Sequence, residues 1–431
     1  DGRVVAAANG AGALALWDPA TGKRRCAVEG EKDAKLPRRR TPVLALSPDG
    51  RTLAVVGKDP EGGITLHDAT TGKRLPISPR HEATPADPAL AYEPPHALAF
   101  SPDGRTLLAA SRTDGVRLYE TATGKEARQL LEPSEDAIGG VAFAPDGRSL
   151  AARTDATIRV WEAATGGERR RWDAPAHPEV GNARAVALSP GGRFVAVSGG
   201  GAEVSVGRVA ACGDLRGLTG HGGPVTALAF AAGGRLLSVS RDGTAILWDT
   251  ASLKWDRKEG PEKVDAAAAW AGLDDPDPAR AFQTMARLED APAAAVALLR
   301  GRLKPAAAAD PRQIERLIAR LDDDDFEKRE AASKELANLG PQAEKALRQA
   351  VKDPPSAEAA RRIKELLKRI EDGSVSAGRL REARALEVLE AVGTAEARKV
   401  LEELARGAAD AALTQEAKAS LSRLSTGPAA P

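Results

Sequence analysis

His221, Ser238 and Asp242 have the residue types of a hydrolytic triad. A serine hydroxyl, an imidazole and a carboxylate within hydrogen-bond reach of one another transfer acyl groups through an activated nucleophile. No Gly-x-Ser-x-Gly elbow is present to lift such a serine clear of a sheet. Four consecutive carboxylates, Asp322 to Asp325, have the oxygen chemistry of a calcium ligand set. They stand directly before a helix expected to start at Phe326, and acidic groups there are stabilised by the helix dipole, so capping is the reading adopted. Gly10-Ala11-Gly12 imitates a dinucleotide loop but lies between two strands and not ahead of a helix, which makes it a hairpin turn. Two basic clusters, Lys35 to Arg40 and Arg169 to Arg171, lack interleaved aromatic residues and read as solvated loop or strand-edge charge.

The elements that must carry these residues repeat. Turns recur as Ser47-Pro48-Asp49-Gly50, Ser101-Pro102-Asp103-Gly104, Ala144-Pro145-Asp146-Gly147 and Ser189-Pro190-Gly191-Gly192, with a weaker Ala231-Ala232-Gly233-Gly234 and a truncated Asp1-Gly2. Their glycines are spaced by roughly 42 to 54 residues, the length of one four-stranded propeller blade. Pro presets φ for the second turn position, Ser and Asp bond nearby backbone, and Gly accepts the positive φ that closes a hairpin. Apolar runs flank each turn, for example Ala97 to Phe100 before one and Thr52 to Val56 after another, as expected of strands buried on both faces. A third strand then ends in a pair: Trp17-Asp18, His67-Asp68, Tyr119-Glu120, Trp161-Glu162 or Trp248-Asp249. A second turn follows, as in Thr21-Gly22-Lys23 and Thr123-Gly124-Lys125.

In these motifs residues 1–255 resemble the WD40 family of β-propellers. The resemblance implies a structural tetrad of His221, Ser238, Asp242 and Trp248 tying the sixth blade together, with Ser240 as a possible substitute for Ser238, and it explains the triad residues without catalysis. Elsewhere the pattern decays. The fourth repeat keeps Asp155, Thr157 and Trp161 without a Gly-His pair, and the fifth, Val204 to Arg208, has no aromatic-acidic pair and is expected to be the loosest blade. Asp1-Gly2 aligns with the end of a hairpin turn. The first blade is therefore expected to lack its inner strand, and the sequence to be a fragment of a longer protein.

The net charge of +1 creates no global field to recruit nucleic acid or membrane, and 42% hydrophobic residues over 431 positions suffice for two or three folded domains. Cys26 and Cys212 lie in different repeats, which disfavours a disulfide framework or a zinc site. No apolar run approaches the length of a membrane span. The abundance of Ala, Arg, Gly and Pro fits a bacterial gene of high G+C content, and the compartment stays open between the cytoplasm and the cell envelope.

Past residue 256, β-alternation gives way to apolar residues three and four apart. Asp277-Pro278 and Asp310-Pro311 open helices, an N-cap followed by a residue whose missing N–H costs nothing. Gly340 and Gly393 close them. Leu336 to Leu347 and Leu389 to Leu401 read as two copies of one helix-turn-helix unit, and this part resembles HEAT-like α-solenoids. The expected architecture is thus multidomain β plus α: a WD40-like propeller of about six blades over 1–255, a HEAT-like solenoid over 256–424 and a disordered tail over 425–431.

The function expected from these resemblances is a non-enzymatic scaffold binding other proteins, monomeric, without cofactor, nucleic acid or membrane. Long Pro-rich connections, Glu29 to Thr41, Ser78 to Pro95 and Asp173 to Asn182, supply the expected interaction residues Arg38, Arg39, Arg40, His81, Tyr92 and His177. The competing readings are a sensory or regulatory module attached to an absent N-terminal effector domain, and a propeller-borne hydrolase or lyase.

Overall fold

The computed structural model describes residues 3–8, 14–28, 43–56, 63–76, 95–134, 136–174, 185–210, 215–231, 234–250, 253, 264–371 and 377–426. The Gly10-Ala11-Gly12 turn, the Lys35 to Arg40 cluster and most of the three long connections lie outside them. The chain divides into two compact units at Leu253/Lys254.

The first unit is six antiparallel sheets, each with its strands in chain order. They are β1 (Val5–Ala8), β2 (Leu14–Trp17) and β3 (Arg24–Val28); β4 (Leu44–Leu46), β5 (Thr52–Val56) and β6 (Ile64–Asp68); and β7 (Ala97–Phe100), β8 (Thr106–Ser111), β9 (Gly115–Glu120) and β10 (Glu126–Leu131). After them come β11 (Ile138–Phe143), β12 (Ser149–Thr154), β13 (Thr157–Glu162) and β14 (Glu168–Asp173); β15 (Val186–Leu188), β16 (Phe194–Ser198), β17 (Val204–Arg208) and β18 (Arg216–Leu218); and β19 (Val225–Phe230), β20 (Arg235–Ser240) and β21 (Ala245–Asp249). The arrangement is propeller-like, with three or four described strands per sheet.

Turn chemistry sets the registers. Ser47 Oγ donates to Asp49 Oδ1 at 2.6 Å and accepts the Thr52 amide at 2.8 Å, while Asp49 Oδ1 takes the Arg51 amide at 3.0 Å. Ser101 and Asp103 repeat the pattern at 2.6, 2.9 and 3.0 Å. Gly104 closes its turn at φ 71°, a conformation that costs glycine little. In the first four sheets the acidic member of the dipeptide accepts the next turn. Asp18 takes the Thr21 amide, Asp68 the Thr71 amide and hydroxyl, and Glu120 and Glu162 the hydroxyls of Thr123 and Thr165.

Because strand side chains alternate, each sheet has two faces, and consecutive sheets join the following face of one to the preceding face of the next. Leu108, Val116 and Leu118 of the third sheet meet Leu150, Ala152 and Trp161 of the fourth. Ala54, Ile64 and Leu66 of the second meet Leu107, Ala109 and Tyr119 of the third. The fifth sheet, expected to be the loosest, has four strands, and Val195, Val197, Val204 and Val206 are buried where it lacks a tryptophan. The series does not bury its ends: Val5 on the first sheet and Leu237, Val239 and Leu247 on the sixth are exposed.

The second unit begins with α1 (Ala266–Gly272), α2 (Pro278–Glu289), α3 (Pro292–Arg302), α4 (Pro311–Arg320) and α5 (Phe326–Leu339). It continues through α6 (Pro341–Ala350), α7 (Ala357–Glu371), α8 (Ala377–Val392), α9 (Ala395–Leu404) and α10 (Ala412–Thr426). Asp277 and Asp310 cap α2 and α4 through the Ala279 and Arg312 amides at 2.9 and 3.0 Å. In the acidic run, Asp325 accepts the Glu327 amide at 2.9 Å and Asp323 accepts the Asp325 amide at 3.0 Å.

The helices depart from a stack in which each pair touches only its neighbours. Helices α4 to α7 share one core, built on Ile314, Leu317, Leu336, Leu347 and Ile363. Helix α8 instead packs against α2 and α3 as well as α9 and α10. Its buried Arg384 donates from Nη1 to the Leu273 and Asp275 carbonyls, both at 2.9 Å, satisfying acceptors where α1 ends. Helix α10 also runs to Thr426, past the expected start of the disordered tail at Ser425, with the Ser425 hydroxyl bonding back to the Ser422 carbonyl at 2.7 Å.

Leu150→Ala, opening a cavity between the third and fourth sheets, should lower unfolding free energy by about 2 to 5 kcal/mol, whereas Leu247→Ala should stay within about 0.5 kcal/mol, as read by urea denaturation. A fragment of residues 264–426 should retain a helical circular dichroism spectrum, since its helices cap and pack among themselves.

Candidate functional site

The sixth sheet gathers the triad-type residues. His221 enters from the turn before β19, Ser238 sits mid-strand in β20, Asp242 turns the chain between β20 and β21, and Trp248 lies on β21 opposite Leu236. Trp248 Nε1 donates to Ser238 Oγ at 2.8 Å, and His221 Nε2 lies 2.7 Å from that same oxygen. His221 Nδ1 is 2.6 Å from Thr244 Oγ1, which donates to Asp242 Oδ1 at 2.7 Å. One assignment of protons satisfies the whole chain: Trp248 to Ser238, Ser238 to His221 Nε2, His221 Nδ1–H to Thr244, and Thr244 to Asp242. The indole and imidazole rings meet edge to face at 6.3 Å.

This geometry differs from a triad in two ways. The Ser238 side chain is buried and already accepts the Trp248 N–H, so its oxygen has no open approach for a substrate. Asp242 does not hydrogen-bond the imidazole; its Oδ2 is 3.7 Å from His221 Nδ1, with the Thr244 hydroxyl between the groups. Thr244 holds the Asp242 carboxyl well below the usual carboxylate range, through its hydroxyl first and then its amide, and the Gly222 amide adds to this at 2.6 Å. Ser240 does not replace Ser238. Its hydroxyl donates to the Gly223 carbonyl at 2.8 Å and accepts the Asp242 amide at 3.2 Å.

The other sequence-derived positions are dispersed. Trp17 is half-buried on the first sheet, and Asp18 accepts the Ala20 and Thr21 amides and pairs with Arg25 at 3.0 Å. Trp161 is buried between the third and fourth sheets. Glu162 is buried beside it and accepts Thr165 Oγ1 at 2.7 Å and Arg169 Nη2 at 3.2 Å. Asp249 is exposed at the end of β21, opposite Arg235. Arg38, Arg39, Arg40, His81, Tyr92 and His177 lie outside the described residues.

The Arg169 to Arg171 cluster is not a solvated patch. Arg169 is buried between Glu162 and Ser149, because a bulge in β14 between Glu168 and Arg170 breaks the alternation there, while Arg170 stacks on Trp172 at 5.4 Å. Thr244 was missed from the sequence; its signal is the Asp-Gly-Thr spacing, which lets the carboxylate two residues back accept both its amide and its hydroxyl. Among the described residues no group of three or more His, Cys, Asp and Glu side chains is arranged to hold a metal ion. No described helix is long and apolar enough to cross a membrane.

Ser238→Ala leaves the Trp248 and His221 nitrogens without their shared acceptor and should cost about 1 to 3 kcal/mol in urea denaturation. Because the folded-state pKa of Asp242 is depressed, its carboxylate contributes stability in full above the ordinary aspartate range and loses it as pH falls. Asp242→Asn should therefore be less stable than the parent at neutral pH, with the gap narrowing towards about pH 3.

Two stretches, 125–162 and 212–249, match the family model described as WD domain, G-beta repeat. Each runs from the last strand of one sheet through the first three of the next, β10 to β13 and β18 to β21, and ends on a Trp-acidic pair. Comparison with curated proteins gives no match. The chain thus carries WD40 repeats, and the second contains the whole His221, Ser238, Asp242 and Trp248 network.

Proposed function

We propose that the chain is a non-enzymatic protein-interaction scaffold, in which the sheet unit and the helical unit each present a rigid surface to other proteins. WD40 repeats generally mediate protein–protein interaction. The observation that carries the reading is the saturation of Ser238: the residue set with hydrolytic chemistry spends its hydrogen bonds on holding one sheet together. In this role His221, Ser238, Asp242 and Trp248 are structural, and the Trp-acidic pairs at Trp17, Asp18, Trp161, Glu162 and Asp249 mark the ends of β2, β13 and β21.

Contact with partners is assigned to the Pro-rich connections and their residues Arg38, Arg39, Arg40, His81, Tyr92 and His177, since proline lowers the entropy lost when a loop is ordered. The helix pairs α5–α6 and α8–α9, joined at Gly340 and Gly393, are read as HEAT-like units. Between α6 and Asp410 runs a groove lined by Lys345, Gln349 and Lys352, with Arg348 paired to Glu344 at 2.9 Å, and its two lysines suit an acidic peptide.

Photo-crosslinking residues placed at Tyr92, His81 and Lys345 of the full chain should trap protein adducts, while the same group at Arg25, on an outer strand, should not. Adducts equal at all four positions would remove the loop assignment. Turnover of ester, peptide or phosphate substrates abolished by Ser238→Ala would replace the scaffold reading with a hydrolase.

A further inference from the structure

An arginine follows the glycine of each repeated turn: Arg3, Arg51, Arg105, Arg148, Arg193 and Arg235. The sheets use its backbone. The carbonyls of Arg51, Arg105, Arg148 and Arg193 accept the amides of Ala69, Thr121, Ala163 and Val209 at 2.7 to 2.9 Å, a bond that any residue type could make. Pairing with the turn carboxylate does not account for the side chain either. Asp49, Asp103 and Asp146 stand two residues before Arg51, Arg105 and Arg148, with 4.0 Å between Arg148 Nη1 and Asp146 Oδ2. Gly191 and Gly233 take that place before Arg193 and Arg235, so the guanidinium persists where the carboxylate is gone.

These arginines share one end of the sheet unit with the turns that follow the dipeptides. Thr52 pairs with Asp68, Thr106 with Glu120 and Ser149 with Glu162, which puts both turns of a sheet at the same end and the connections to the next sheet at the opposite one. Consecutive arginine-bearing turns lie side by side: a Cβ placed on Gly104 would be 3.7 Å from Pro48 Cδ, and one on Gly147 would be 3.5 Å from Pro102 Cδ. Lys23, Lys73 and Lys125 of the second turns are exposed at this end, as are Arg51, Arg105 and Arg235. Arg3, Arg24, Arg25 and Arg74 are exposed there too, Arg25 in its pair with Asp18.

Most carboxylates at this end are turned into the chain. Asp18 and Asp68 accept amides of their own turns, and Glu120 and Glu162 accept the hydroxyls of Thr123 and Thr165; none of the four is exposed. Half-buried Asp146 accepts the Arg148 amide, and half-buried Glu168 pairs with Arg159 at 3.4 Å. The exposed carboxylates are Asp49 and Asp103, which each accept a serine hydroxyl and an arginine amide, Glu126, which pairs with Arg117, and Asp249, which stands directly across from Arg235. Among the described residues the exposed charge of this end is therefore predominantly cationic.

We propose that this face of the sheet unit docks an acidic segment of a partner protein, its carboxylates received by the forked guanidiniums of successive repeats. The proposal takes from the scaffold reading only that the partner is protein, and it concerns the end opposite the long connections. Spaced carboxylates suit the face, whereas a continuous phosphate backbone would meet Asp49, Asp103 and Asp249 among the arginines. Trp17, Tyr119, Trp161 and Trp248 are all at least half-buried, which leaves no exposed ring at this end on which bases could stack.

The test is fluorescence anisotropy at low ionic strength with a labelled peptide of alternating glutamate and glycine, and in parallel with labelled oligothymidylate. The full chain carries Lys345→Gln and Lys352→Gln throughout, which takes the α6 groove out of the measurement. This starting protein should bind the peptide, and adding Arg51→Gln, Arg105→Gln and Arg235→Gln should weaken binding about tenfold and flatten its salt dependence. The same loss of charge elsewhere, Arg171→Gln, Arg241→Gln and Arg287→Gln, should change it by less than about twofold. Far-ultraviolet circular dichroism should be unchanged in both; if the first triple variant loses its fold, Lys23→Gln, Lys73→Gln and Lys125→Gln remove three cations from the same face. Failure of the starting protein to bind the peptide, or equal weakening by the two triple variants, overturns the proposal. So does tighter binding of oligothymidylate than of peptide, which would make the face a nucleic-acid surface. None of these outcomes bears on crosslinking at Tyr92 and His81, which tests the connections at the opposite end.

Discussion

The constraint on which the sheet unit depends is the alternation of side chains along each strand, because the strands between two sheets bury their two faces against different neighbours. A slip of one residue in any register would send Leu107 or Leu150 to the wrong side and empty two junctions at once. The hairpins prevent this. The serine and aspartate of one turn clamp two amides, and the acidic residue of the dipeptide accepts the following turn. Registers are therefore set by short polar contacts, and the apolar contacts between sheets then follow from them.

The polar network of the sixth sheet serves the same end by different chemistry. A buried imidazole and a buried serine are tolerable only when every donor has an acceptor, and here the proton chain from Trp248 to Asp242 leaves none over. Thr244 is the member that closes the accounting. Without it the imidazole Nδ1 would face a carboxylate oxygen 3.7 Å away, beyond hydrogen-bond reach.

Features written in local chemistry were legible from the sequence. The Ser-Pro-Asp-Gly turns and the Asp-Pro helix starts could be placed because each depends on neighbours within a few positions, whereas the sixth-sheet network, whose members lie 17 and 23 positions from His221, was legible only through the family resemblance. Features that depend on which surface meets which were not. The inward turn of Arg169 comes from a bulge in β14 that breaks the alternation, and no sequence pattern announces it. An amphipathic pattern over α8 says that one side is buried but not against what, and α2 and α3 are the partners that a repeat pattern does not name. The long connections, where a binding role was sought, have compositions that restrict their freedom without specifying a path.

The reach of α8 across the helical unit also bears on how this protein is made. Arg384 and the carbonyl of Leu273 are 111 positions apart, so the first three helices emerge from a ribosome well before the element that completes their core. During that interval their apolar sides have no permanent cover. The packing of the first three helices is therefore completed only after α8 is synthesised, while α4 to α7 can close their own core earlier, and a chaperone has that window in which to hold the unfinished segment.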